Sequence, residues 1–203
     1  MATWNHSMAL AAALALLAGS APAQEVKPGC AVDVTGAFPP VPTDVTGDTL
    51  EEFMKDANAK MGDGGHMVPD ASTSYQMGAG KDGKEIVTGA RITIKGSVKR
   101  PRLGMNRAKG PDLKLIQEAV KLIEAHEKRH RDIYLTTMKS QGCKGVLKRS
   151  AAQAEKAVDA ALCKANKAQE ALDKKEGLVV VVVKNGKNAV KLGPAPSASY
   201  PCN

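Results

Sequence analysis

The chain has 203 residues, of which 43% are hydrophobic and only 3% aromatic, and it carries a formal net charge of +8. A single domain of that size can bury a real core, and with so few rings the core must be built from Val, Ile, Leu, Ala and Met, as in packed helices with a small sheet. The basic balance suits anionic surroundings such as an envelope polymer, whereas scattered Lys and Arg without stacking aromatics exclude a nucleic-acid surface.

Met8 to Leu17 is almost wholly Ala, Leu and Met and leads to Ala21-Pro22-Ala23, an A-x-A cleavage signal before Gln24. This pattern predicts a signal peptide over residues 1–23 and one mature domain over residues 24–203, although no Lys or Arg precedes the apolar run. The run falls short of the roughly 20 residues a membrane span needs, so no transmembrane anchor is expected and the location is periplasmic or secreted. Cys30, Cys143, Cys163 and Cys202 all follow the cleavage point, an even count that implies two disulfides in an exported chain.

Glu25 to Thr46 reads as an extended, Pro- and Gly-rich entry with a short strand at Ala31 to Thr35. Thr49-Leu50-Glu51-Glu52 is a capping box and opens a helix over Thr49 to Met61. A loop containing His66 follows, then a strand at Thr73 to Met77, a turn over Gly78 to Gly83, and a strand over Glu85 to Lys99. That last strand shows the alternation Ile92, Ile94, Val98 and ends at Pro101 and Gly104.

From Pro111, apolar residues at Leu113, Leu115, Ile116, Ala119, Val120, Leu122, Ile123, Ile133, Tyr134 and Met138 fit an amphipathic helix. Gly142 and Gly145 predict a turn, and Val146 to Lys175 a second helix whose Ala-rich stripe invites close packing. A bridge between Cys143 and Cys163 is disfavoured, because such a helix would separate them by roughly 25 Å. Leu178 to Val183 and Ala189 to Leu192 form a hairpin through Asn185-Gly186, before a Pro- and Ser-rich tail. The expected fold is α+β, a long antiparallel helical hairpin packed with a small antiparallel sheet.

The first long helix carries His126-Glu127-Lys128-Arg129-His130, an H-E-x-x-H motif. Residues four apart share a helix face, so both imidazoles can reach one ion, and neutral imidazole suits Zn²⁺. His126 and His130 are therefore the expected metal ligands. Glu127 is the expected general base, and Tyr134 or Lys128 a conceivable oxyanion stabiliser. A catalytic zinc normally has three protein ligands. With the helices turning near residue 144, the level of the histidines lies opposite about residues 158 to 162, using equal rise on both helices. Asp159 is then nearest, with Glu155, His66 and Glu176 as other candidates. Ile133 and Thr136 exclude the extended metzincin motif, and Ser150 stands where a thermolysin-type Glu is expected.

The signal peptide, the segment Val45-Thr46-Gly47-Asp48-Thr49, the strand pair, the H-E-x-x-H helix continuing into Arg131-Asp132-Ile133, and a second helix with Cys163 together resemble a known family. It is the bacterial domain-of-unknown-function family described as predicted secreted zinc-dependent proteases. The resemblance covers about Val45 to Lys175 and implies a zincin-like domain with protease activity. Members often have a His-Gly step after the second helix, where this chain has Glu176-Gly177. The function expected is a zinc-dependent peptidase acting on a protein or peptide substrate. The alternative is a noncatalytic exported binding module or degenerate protease.

Overall fold

Helix starts are set by local caps. Thr49 Oγ1 accepts from the Glu52 amide at 3.2 Å while the Glu52 carboxylate accepts from the Thr49 amide, so the expected capping box opens α1 (Leu50–Met61). Pro111 stands at the first position of α2 (Pro111–Thr137), where no amide hydrogen is needed. Ser150 and Gln153 form a second capping box at the head of the longest remaining helix, Ala151–Glu176. The computed structural model describes residues 28–33, 40–61, 70–95, 98–104, 107–195, 200 and 202. The expected signal peptide and the loop holding His66 lie outside the described residues.

The strands are β1 (Gly29–Asp33), β2 (Pro40–Val45), β3 (Asp70–Ala79), β4 (Glu85–Lys95), β5 (Val98–Leu103), β6 (Leu178–Lys184) and β7 (Lys187–Gly193). They form three small sheets in the orders β1-β4-β3, β2-β5 and β6-β7. The fold is mixed α+β, as expected, but the sheets are not all antiparallel: β1 joins β4 and β2 joins β5 in parallel. Parallel neighbours need long connections, and local pattern reading finds only the neighbours joined by short ones. The expected strand ending at Pro101 is two strands, with Pro101 inside β5 opposite Thr43. In a two-stranded sheet both strands are edges, where proline is tolerated. β2 is an edge in the same way, and its Pro40 and Pro42 made a strand read as extended entry.

The Asn185-Gly186 turn is as expected, with φ of 51° and 72° at its two central residues, and it joins β6 to β7. The turn between the long helices also differs from the one expected. Instead of turning at Gly142 and Gly145, the chain continues from α2 through a π-helical turn, Met138–Gly142, into α3 (Cys143–Val146). It reverses over residues 147–150 and then enters α4 (Ala151–Glu176). That reversal is pinned to the sheet, because Val87 donates to the Arg149 carbonyl at 2.8 Å and Lys148 donates to the Val87 carbonyl at 2.9 Å.

Two apolar clusters result. Ala90, Ile92 and Ile94 of β4 meet Tyr134, Met138 and the α4 stripe Ala154, Val158, Ala161 and Ala165. Phe53 and Ala57 of α1 meet Val45, Leu115, Ile116 and Ala119. The disulfides Cys30–Cys143 and Cys163–Cys202 fasten β1 to α3 and the C-terminal residues to α4. No helix among the described residues is long and apolar enough to cross a membrane.

Gly47 explains part of the Val-Thr-Gly-Asp-Thr segment. A Cβ there would stand 2.3 Å from the Phe53 backbone nitrogen and 2.6 Å from its Cα, so α1 can start only if residue 47 lacks a side chain. The Gly47→Ala variant is expected to lose about 1–3 kcal/mol of stability, the cost of forcing backbone apart. Urea denaturation measures it, and a loss below about 0.5 kcal/mol, typical of an unconstrained surface site, would contradict this packing.

Candidate functional site

Three pairs of buried side chains bridge α2 and α4. Tyr134 donates its hydroxyl to Asn166 Oδ1 at 2.7 Å, His130 Nδ1 meets Gln169 Oε1, and His126 Nε2 meets Asp173 Oδ1 at 2.9 Å. The residues ascend in steps of four on α2 and descend in steps of three and four on α4, so each pair lies one turn from the next. This register brings His126 and His130 beside Asp173, with the three residues 3–4% exposed.

At the centre three atoms converge. His130 Nε2 lies 2.8 Å from His126 Nε2, and each lies 2.9 Å from Asp173 Oδ1. The two rings are nearly perpendicular at 88°, with centroids 4.4 Å apart. Gln169 Nε2 donates to the His130 backbone carbonyl at 2.8 Å, which turns the amide oxygen toward the ring. Tyr200 donates its hydroxyl to the other Asp173 oxygen, Oδ2, at 2.7 Å, and its ring lies 6.3 Å from that of His130. Cys202, two residues on, is the cysteine bonded to Cys163 of α4.

The electrostatics follow from burial and these contacts. Burial opposes ionisation of Asp173, but hydrogen bonds from His126 and His130, the charge of His130 and the Tyr200 hydroxyl outweigh it and hold the carboxyl well below its usual range. Burial likewise disfavours charge on His130, yet Asp173, Glu127 and Gln169 raise its affinity for a proton above the ordinary value. Glu127 is 5% exposed, and its Oε2 has no hydrogen-bond partner among the described residues. Burial pushes its carboxyl up to about 7, the pull of His130 being opposed by the negative charge of Asp173.

The arrangement corrects the expected third group. Asp159 and Glu155 are solvent-exposed on α4, and Glu176 is ion-paired with Arg129 at 3.2 Å. The carboxylate beside the histidines is Asp173. Nor do Tyr134 and Lys128 fit an oxyanion role: the Tyr134 hydroxyl is committed to Asn166, and Lys128 faces solvent. His126, His130 and Asp173 are the His, Cys, Asp and Glu side chains among the described residues whose ligand atoms lie close enough together to hold an ion.

A model of the bacterial family of proteins of unknown function DUF922 matches residues 41–179. The chain belongs to this family. All the site residues except Tyr200 fall inside the matched DUF922 segment, as does the whole of α2 and α4. Comparison with curated proteins and with solved structures gives no match.

Because Asp173 ionises more readily in the folded than in the unfolded chain, the stability it contributes is fully present above the unfolded carboxyl value near 4. It is lost as the pH falls below that value. The Asp173→Asn variant should therefore be less stable at neutral pH, by about 1–3 kcal/mol for lost charge-assisted hydrogen bonds. Between pH 4 and pH 2 it should lose stability less steeply than the parent, by up to about 1.4 kcal/mol per pH unit. Urea midpoints across this range test it, and parallel profiles for the two proteins would contradict it.

Proposed function

We propose that this chain is an exported zinc-dependent peptidase whose ion would be held by His126, His130 and Asp173. The observation that supports it best is a shortage of protons at the convergent atoms. His130 spends its Nδ1 proton on Gln169 Oε1, which can only accept, so a neutral His130 turns a lone pair inward at Nε2. A neutral His126 supplies one proton at most, and one proton cannot serve three contacts of 2.8–2.9 Å. A positive charge beyond that single N–H is required there, either an extra proton or a cation.

Two imidazole nitrogens and one carboxylate oxygen are a donor set that fits zinc, with Gln169 and Tyr200 as the outer groups that orient it. Donors around a tetrahedral ion with bonds of about 2.0–2.1 Å stand about 3.3 Å apart, so these three need part by only a few tenths of an ångström. Zinc, when bound, makes water acidic near neutrality and polarises a carbonyl oxygen.

Glu127 sits beside the ligands with Oε2 uncommitted, and in this reading it takes the proton of the attacking water and returns it to the leaving amine. The opposed order of the three bridging pairs supports α2 and α4 as the antiparallel helical hairpin of a zincin-like domain. Two disulfides together with the Ala21-Pro22-Ala23 signal support a periplasmic or secreted setting, with a protein or peptide substrate. The net charge of +8 suits work beside anionic envelope polymers.

Burial favours one competing reading. His126, Glu127, His130 and Asp173 are only 3–5% exposed, and Tyr200 lies against the cluster, as in a noncatalytic module that an ion would merely hold together. Metal content and peptide hydrolysis of the mature protein separate the two. About one zinc per chain is expected, kept in Glu127→Gln and lost in the double variant His126→Ala, His130→Ala. Hydrolysis of an unfolded protein substrate should fall roughly 10²–10⁴-fold in Glu127→Gln. Zinc without hydrolysis in the parent would select the noncatalytic module, and no zinc after incubation with the ion would sink the zinc reading itself.

A further inference from the structure

Gln169 is fully buried in α4, and both ends of its amide are engaged by a single residue of α2. Its Nε2 donates to the His130 backbone carbonyl at 2.8 Å, and its Oε1 faces the His130 Nδ1. A carbonyl oxygen only accepts, so the NH₂ end must lie against it, and the amide cannot be reversed without setting oxygen against oxygen. The oxygen end is thereby aimed at the ring, and since it carries no hydrogen the proton must sit on Nδ1.

We propose that Gln169 is a positioning residue that fixes neutral His130 as its Nδ1–H tautomer, so that Nε2 presents a lone pair toward His126 and Asp173. The same contact sets the ring plane, because the backbone and side chain of His130 are gripped together.

His126 has no equivalent partner: its Nδ1 is buried without a hydrogen bond among the described residues. The cluster is therefore asymmetric. One ring is prepared in advance as an electron-pair donor, while the other can exchange its proton between nitrogens and donates from Nε2 to Asp173 Oδ1 when no ion is present. Tyr200 completes the preparation from the other side by engaging Asp173 Oδ2, which leaves Oδ1 turned to the imidazoles. Only the consequence for affinity rests on the zinc reading; the tautomer itself belongs to the ion-free protein.

The test uses the full mature chain, metal-free and labelled with ¹⁵N-histidine, at a pH where nitrogen shifts show both rings neutral. Two-bond ¹H–¹⁵N correlations should give the Nδ1–H pattern for His130. In Gln169→Leu the pattern should move toward Nε2–H, and Gln169→Glu, whose protonated carboxyl can donate to the His130 carbonyl and still accept from Nδ1, should restore Nδ1–H. Zinc affinity should fall about 10–100-fold in Gln169→Leu and recover most of that loss in Gln169→Glu. A parent protein with His130 as Nε2–H would overturn the proposal, as would an unchanged Nδ1–H in a folded Gln169→Leu chain. Should the Leu variant not fold, the parent spectrum and the Glu variant still decide it. A parent that shows Nδ1–H yet takes up no zinc would leave the tautomer assignment standing and remove the peptidase reading.

Discussion

Two imidazole nitrogens and a carboxylate oxygen, buried within 2.9 Å of one another, are the constraint to which the rest of the structure answers. In water such donors would be separately hydrated. Inside a protein each needs a proton or a cation to face, and an unmet lone pair costs on the order of 1–3 kcal/mol. A chain that holds them together must therefore fix their neighbours, and the fixing is done by the helix register. Tyr134 with Asn166 and His130 with Gln169 set the same one-turn steps that bring His126 to Asp173.

The register is itself held from outside. The Ala stripe of α4 lets the helices approach β4 closely, and the reversal over residues 147–150 is hydrogen-bonded to Val87. A sliding of α4 by one turn would break those two bonds. The Cys163–Cys202 disulfide works in the same sense at the far side, holding the chain that delivers Tyr200 close to Asp173. Removing a loop-closing disulfide typically costs 2–5 kcal/mol in small exported domains. Here its removal would also loosen the acceptor side of the site.

Much of this was legible in the sequence, because it depends on local pattern. The H-E-x-x-H spacing placed His126 and His130 on the inward face, Thr49 to Glu52 announced α1, and Asn185-Gly186 announced the hairpin. What failed was long range. The parallel strands β1 and β2 pair with partners more than 50 positions away, a separation no local pattern encodes. The third group was missed through one short signal. Ser150-Ala151-Ala152-Gln153 is a capping box, and reading it would have moved the reversal from residue 144 to residues 147–150. That shift carries the level of His126 along α4 from about residue 162 to about residue 171, within one turn of Asp173. Tyr200 could not have been found this way, since it reaches Asp173 from the C-terminal residues that the Cys163–Cys202 disulfide ties to α4.

Burial divides the roles of the two carboxyl groups at the site. Withdrawal from water raises the Glu127 carboxyl to about 7, while the same withdrawal leaves Asp173 ionised because three groups donate to it or carry positive charge. Two carboxylates on neighbouring helices are thus driven apart, one toward holding positive charge and the other toward exchanging a proton. The most direct test of the account is anomalous diffraction at the zinc absorption edge from crystals of the mature protein incubated with zinc. The account predicts one strong peak shared by His126 Nε2, His130 Nε2 and Asp173 Oδ1. A peak bound elsewhere, or none at the cluster, would contradict it.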